Sequence, residues 1–388
     1  MDANVVILLA VVLFGLTFDF TNGFHDTANA MATSIATGAL SPRVAVALSG
    51  ALNFAGAFLG LSVAATIATG IVDPRVVTTT TVFAGLIGAI TWNLLTWLLG
   101  LPSSSSHAIV GGTVGATLVQ AGPGAVNVQG ILSKVLIPAM ASPIIAVIGA
   151  AIAIWLAVRI TRRSHQDVLD HGYRVGQILS ASMVSLAHGT NDAQKTMGII
   201  TLALITTGSL GAHAGTPLWV VVACAAAIAL GTYTGGWRVI RTLGKGITDI
   251  SPQQGFSAES ISSSVILGAS NLGFAVSTTQ VTSGSVLGVG LGKGAAVRWA
   301  IAAQMVAAWI VTVPVAAAFG GAANAIARAV GGVPGVVVTA LVALAVFAGI
   351  WHTARRQPIN AGNVNAPIPA GARSALALDR EGAAVAAA

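Results

Sequence analysis

The sequence predicts an all-α integral membrane protein assembled from two repeats with interrupted helices. Three observations carry that prediction. Of 388 residues, 55% are hydrophobic and only 7% charged, and the mean hydropathy is +0.86; a soluble domain carries about 25% charge. The apolar residues fall into runs near the roughly 20 residues that a hydrocarbon core about 30 Å thick requires of a helix. Finally, two polar motifs recur in both halves, in the same order and at nearly the same separation.

The runs are, in order, 5–20, 44–71, 76–99 and 134–160, then 174–187, 218–240, 261–274, 295–319 and 333–351. The first lacks a basic region ahead of it and reads as a retained span, not a cleaved signal. Four apolar stretches, 26–40, 108–121, 192–207 and 281–292, are too short or too polar for a full span. Short, interrupted segments at corresponding places in two halves are the sequence mark of a binding site at membrane depth. The expected organisation is an N-terminal membrane repeat over 1–160, a solvated polar loop over 161–173 and a C-terminal membrane repeat over 174–352. Residues 353–388, rich in Pro, Gly, Asn and Ala, read as a disordered tail.

The net charge of +7 does not indicate a nucleic-acid partner. Its basic residues, such as Arg162, Arg163, Arg238, Arg241, Arg355 and Arg356, lie in loops, at run ends and in the tail, as a positive-inside bias places them. Cys224 is the only cysteine, so neither an internal disulfide nor a cysteine metal cluster can form. No phosphate loop of the Gly-x-x-x-x-Gly-Lys-Ser/Thr type is present, so nucleotide hydrolysis is not the energy source. No nucleophile–base pair stands out either; an enzyme is not expected, and no cofactor is implied.

The first repeated motif is acidic. Asn22-Gly-Phe-His25-Asp26-Thr-Ala-Asn29-Ala-Met31 aligns with His188-Gly-Thr-Asn191-Asp192-Ala-Gln-Lys195-Thr-Met197. A carboxylate at membrane depth costs about 2.5–3.5 kcal/mol on insertion scales, so it signals function. Either Asp could instead cap a short helix starting there. As a pair, they read as ligands for a coupling proton or metal cation, with Asn29 and Asn191 supplying further oxygens for a hard ion. His25, which titrates near neutrality, suits proton transfer. Lys195, in the place of Asn29, can neutralise an anion or pair with Asp192 three residues earlier. Asp19 lies on roughly the same helix face as Asp26, but its counterpart is Ser185, so an accessory role is expected.

The second motif is hydroxyl-rich. Pro102-Ser103-Ser104-Ser105-Ser106-His107 aligns with Ala275-Val276-Ser277-Thr278-Thr279-Gln280. Each precedes a short apolar stretch, so each would set hydroxyls beside the free N–H groups of a helix N-terminus, an arrangement that binds oxyanions.

With these four motifs the chain resembles the inorganic phosphate transporter family of secondary carriers, most closely its bacterial low-affinity branch, over residues 5–352. The family's Gly-x-Asn-Asp-x-x-Asn-Ala segments are similar to residues 23–30 and 189–196. Its Pro-Val-Ser-Thr-Thr-His segments are similar to residues 102–107 and 275–280. The resemblance implies inverted repeats in a bacterial cytoplasmic membrane, a homodimer, and phosphate import driven by a cation gradient. It places Asp26, Asn29, Asn191 and Asp192 in the ion and phosphate site. It assigns the oxyanion to Ser104, Ser105 and Ser106 with Ser277, Thr278 and Thr279. The departures His25, Lys195 and Gln280 favour proton symport, with phosphate travelling alone or as a metal complex. Sodium-coupled phosphate symport and sulfate–cation symport are the alternatives.

Overall fold

In hydrocarbon no water is present to take up backbone N–H and C=O groups, so a chain this apolar must satisfy them within helices or a closed barrel. The computed structural model, which describes residues 3–366 apart from Pro74, Ser164 and Ala212, is helical. Among the described residues, β pairing is limited to one bridge between Val72 and Val126.

The first half contains α1 (Ala3–Ala36), α2 (Pro42–Gly56), α3 (Ser62–Gly70), α4 (Thr79–Leu99) and α5 (Ser105–Ala121). The single turn α6 (Val128–Ile131) then runs through a wide turn at Leu132–Leu136 into α7 (Ile137–Thr161). The second half contains α8 (Gln166–Thr206), α9 (Leu218–Thr234), α10 (Trp237–Lys245), α11 (Pro252–Asn271), α12 (Thr278–Lys293) and α13 (Trp299–Val330). A further helix, α14 (Gly332–Arg355), follows. Five helical stretches among the described residues are long and apolar enough to cross a membrane: α1, α4, α6 with α7, α13 and α14. The pair α9 and α10, bent by 67° at Gly235 and Gly236, is long and apolar enough for a sixth if the two form one broken span and not a re-entrant loop.

Packing follows a two-fold exchange. Helix α1 packs on α9, and α8 packs on α2; α4 and α5 carry α13, and α11 and α12 carry α7. The first half thus lends α7 to the second and the second lends α13 to the first, the contact pattern of two inverted repeats. Lipid tails are as apolar as leucine, so small residues that let backbones approach drive this association. A Cβ at Gly111 would lie 2.6 Å from the Val313 carbonyl oxygen of α13, and one at its repeat counterpart Gly284 would lie 2.8 Å from the Pro143 oxygen of α7.

The helix breaks fall elsewhere than at the acidic motifs. Helix α1 takes in both the run 5–20 and the segment at Asp26, and α8 takes in 174–187 and the segment at Asp192. Neither segment contains proline, and a lone glycine in a helix costs only about 1 kcal/mol. Asp26 and Asp192 are therefore mid-helix residues, and the capping alternative does not hold. The runs 44–71 and 218–240 are the ones that divide, into α2 with α3 and α9 with α10.

The polar ends are also more ordered than the composition suggests. Helix α8 starts at Gln166, inside the expected loop, and Tyr173 anchors this part, its ring 5.8 Å from that of Phe256. Residues 357–366 of the expected tail are fastened to α10. Arg238 donates to the Gln357 carbonyl at 2.5 Å and Arg241 to that of Asn363 at 2.6 Å. Residues 367–388 lie outside the described residues.

Candidate functional site

Helix α1 carries Asn22, His25, Asp26 and Asn29 as buried residues, and α8 carries His188, Asn191, Asp192 and Lys195. Each of the two helices packs closely on a neighbour through a glycine of its acidic motif. A Cβ at Gly23 would stand 2.3 Å from the Ile228 carbonyl oxygen, and one at Gly189 would stand 2.3 Å from that of Asn53. These close approaches to α9 and α2 let the acidic residues beside them face inward. Asn22 Nδ2 donates to Asp192 Oδ2 across 3.1 Å, so the first acidic motif reaches into the second.

Helices α5 and α12 begin at the same place. Ser104 and Ser277 are their N-caps, accepting from the backbone N–H groups of His107 at 3.1 Å and Gln280 at 3.3 Å. The next residue in each is a hydroxyl that meets both carboxylates. Ser105 Oγ lies 3.0 Å from Asp26 Oδ2 and 3.5 Å from Asp192 Oδ2; Thr278 Oγ1 lies 3.4 Å from each. Thr279 Oγ1 donates to Asp26 Oδ1 at 3.3 Å, and Asn29 Nδ2 donates to Thr279 at 2.9 Å and Thr278 at 3.2 Å.

Three residues read from the sequence as parts of the site are turned to neighbouring tasks. Ser106 Oγ donates to the Val276 carbonyl at 2.9 Å, tying the start of α5 to the segment before α12. Asn191 Nδ2 donates to Ser270 at 2.8 Å. Lys195 Nζ contacts Asp192 Oδ1 at 2.5 Å and the Val276 carbonyl at 3.2 Å. His25 Nδ1 lies 2.5 Å from Asp26 Oδ1.

The sequence reading missed Asn22, His188 and Glu259. His188 is the repeat counterpart of Asn22, and its Nε2 stands 3.3 Å from Asp192 Oδ2 and 3.8 Å from Asp26 Oδ2, close but outside hydrogen-bonding geometry. One ligand atom each from Asp26, His188 and Asp192 lies within 4.8 Å of the others. Glu259, on α11, accepts from Thr33, from Ser34 at 2.9 Å, from Ser180 at 2.6 Å and from Gln177 at 3.3 Å. Its signal was rarity, since it is one of two glutamates in the chain. Asp19 is bound by Thr196 at 2.6 Å, outside the central cluster.

The chemistry follows from the charges. Two carboxylate oxygens meet the same pair of hydroxyls in a place closed to solvent. Like charges 4 Å apart repel by about 4 kcal/mol at an effective dielectric constant near 20. The buried Oδ1 atoms of Asn22, Asn29 and Asn191 have no hydrogen-bond partner, so neutral oxygens are also available. Such a cluster can take a cation. The two helix N-termini, with Ser105 and Thr278 at their first positions, can take an oxyanion once both carboxylates are offset, Asp192 by Lys195 and Asp26 by a further cation.

The chain is similar to known proteins in sequence and in fold. Residues 22–320 match the phosphate transporter family. A "probable low-affinity inorganic phosphate transporter" of Mycobacterium bovis is 55% identical over 368 residues, covering 94% of this chain and 88% of the relative. A protein of Bacillus subtilis with the same description is 43% identical over 325 residues, covering 82% and 97%. A solved structure titled "The sodium-dependent phosphate transporter" superposes with a TM-score of 0.74 at 25% identity, covering 84% of this chain and 99% of that one.

Proposed function

The chain belongs to the phosphate transporter family, and we propose that it imports inorganic phosphate by symport with sodium, held at Asp26 within the cluster that it forms with Asp192. It is a multi-pass protein of the bacterial cytoplasmic membrane and a carrier, not an enzyme. The observation that carries the reading is the sharing of Ser105 and Thr278 by both carboxylates. A hydroxyl that donates to Asp26 Oδ2 or Asp192 Oδ2 cannot donate the same proton to phosphate. A cation at the cluster takes over that role, frees both hydroxyls and offsets the repulsion between anion and site. Phosphate and cation therefore bind together or poorly, which is the thermodynamic content of symport. Oxygen ligands from two carboxylates and nearby amides suit a hard ion, and the similar solved structure is described as sodium-dependent.

A second reading, with a proton as the coupling ion, rests on one contact chain. His25 touches Asp26, its Nε2 lies 3.5 Å from Thr96 Oγ1, and Thr96 lies 2.7 Å from Ser103 Oγ. These are exchangeable groups in a row, on the first half alone. Uptake of labelled phosphate and sulfate into proteoliposomes, with either a sodium or a proton gradient imposed, separates the readings. Sodium-driven accumulation of phosphate over sulfate is expected. Accumulation driven by a proton gradient without sodium assigns the coupling to the proton, and preference for sulfate refutes the substrate.

A further inference from the structure

The two halves treat their carboxylates differently. On the second half, Lys195 is wholly buried, with Nζ 2.5 Å from Asp192 Oδ1 and 3.2 Å from the Val276 carbonyl oxygen. A carboxylate oxygen and a main-chain carbonyl at the mouth of α12 are the ligands a hard monovalent cation would choose. On the first half the residue in the same place is Asn29, neutral and bearing an oxygen. Its Oδ1 is buried and has no hydrogen-bond partner, while its Nδ2 is tied to Thr278 and Thr279. Asn29 is thus fixed by its amide nitrogen with its oxygen unused.

We infer that the Lys195 ammonium is a tethered cation, filling on the second half the position that a mobile cation takes beside Asp26 and Asn29 on the first. The inference rests on the cation-symport reading above and deepens it, because it sets how many ions travel with each phosphate. An inverted repeat with Asp in both halves would offer two equivalent cation positions. Here one is occupied by a charge that cannot leave, so one carboxylate is neutralised permanently and the other only during transport. The nearby histidines do not remove the asymmetry. His25 contacts Asp26 Oδ1, and His188 faces the Oδ2 atoms of both carboxylates, leaving Asp192 Oδ1 to Lys195. Lysine also answers the solvation problem, since an ammonium this deep needs a carboxylate partner. It is placed to neutralise Asp192 and not to grip the substrate. That revises the expectation, drawn from charge alone, that Lys195 holds phosphate.

The test is Lys195→Asn, which gives the second half the residue of the first. Labelled sodium bound at equilibrium to purified protein, in the presence of phosphate, is counted for the wild type, Lys195→Asn and Lys195→Met. The expected result is one additional sodium per chain in Lys195→Asn, with a steeper sodium dependence of phosphate uptake. No additional ion is expected in Lys195→Met, which removes the charge but supplies no oxygen. An unchanged sodium count in Lys195→Asn, with the protein still folded as judged by its thermal transition, overturns the inference. So does loss of phosphate binding without a change in sodium count, which would assign Lys195 to the anion. An additional ion in both variants overturns it as well, since charge removal alone would then suffice. A wild-type protein that accumulates phosphate but binds no sodium overturns the sodium reading itself, a failure seen before any Lys195 variant is compared.

Discussion

Asn22 donates its amide to Asp192 Oδ2 at 3.1 Å, joining positions 170 residues apart in the chain. The contact holds a carboxylate of α8 in register with α1, so Asn22 acts on the second acidic motif from within the first. Removing it leaves a buried charge short of one donor. A hydrogen bond to a charged group contributes about 1.5–3 kcal/mol, so Asn22→Ala is expected to weaken sodium-dependent phosphate binding roughly ten- to a hundredfold. Isothermal titration with phosphate in saturating sodium checks this, and unchanged affinity would place Asp192 outside the site.

Ser105 and Thr278 occupy equivalent positions of the two repeats and meet the same two carboxylates. Ser105→Ala and Thr278→Val are therefore expected to weaken phosphate binding by similar amounts, each about 1.5–3 kcal/mol. In the double variant the losses should be non-additive, because both hydroxyls address one ligand. A loss confined to one of them would show that only one helix N-terminus receives phosphate.

Gly23 and Gly189 have no room for a side chain. Overpacking of this kind costs about 1–3 kcal/mol, more where the obstacle is backbone, as the carbonyls of Ile228 and Asn53 are. Gly23→Ala and Gly189→Ala are expected to lower the unfolding temperature in detergent and to reduce uptake together. Gly268→Ala, where an added Cβ meets nothing within 4 Å, should do neither.

Glu259 gathers four donors, two from α1 and two from α8, with no ion-pair partner among the described residues. Glu259→Ala strands those donors in a buried place, and each unsatisfied group costs about 1–3 kcal/mol. Glu259→Gln keeps one acceptor and most of the volume. The alanine variant is expected to unfold well below the glutamine variant in a thermal shift assay. Equal unfolding temperatures would mean that water replaces the carboxylate freely.

Much of this was legible in the sequence because membrane depth makes polarity conspicuous. Asp26, Asp192 and the hydroxyls of 103–106 and 277–279 stand out among apolar neighbours, and their repetition fixes the pairing of the halves. The continuity of α1 and α8 was hidden. Gly23 and Gly189 look like breaks in a sequence, whereas in the fold they are contact points for α9 and α2. His188 was overlooked because its counterpart is Asn22, so the repeat alignment did not mark it as a partner of the carboxylates. Lys195 was read by its charge, but its geometry is decided by the Val276 carbonyl, a main-chain atom that no residue type announces. Glu259 belongs to a cluster drawn from three separated segments, and no local pattern reveals such a cluster.

The dependence of phosphate on an ion at the Asp26–Asp192 cluster is the basis of the transport proposal. It is tested most directly by measuring sodium-driven phosphate accumulation in proteoliposomes carrying Asp26→Asn or Asp192→Asn. Asparagine preserves the volume and one acceptor oxygen while removing the charge that the ion must neutralise. Each variant is expected to insert and to purify; Asp26→Asn should unfold at or above the wild-type temperature because a buried charge has been removed, whereas Asp192→Asn should unfold lower because it strands the buried Lys195 ammonium. Each should accumulate no phosphate above the passive leak. Near-normal concentrative uptake by both variants would contradict the account.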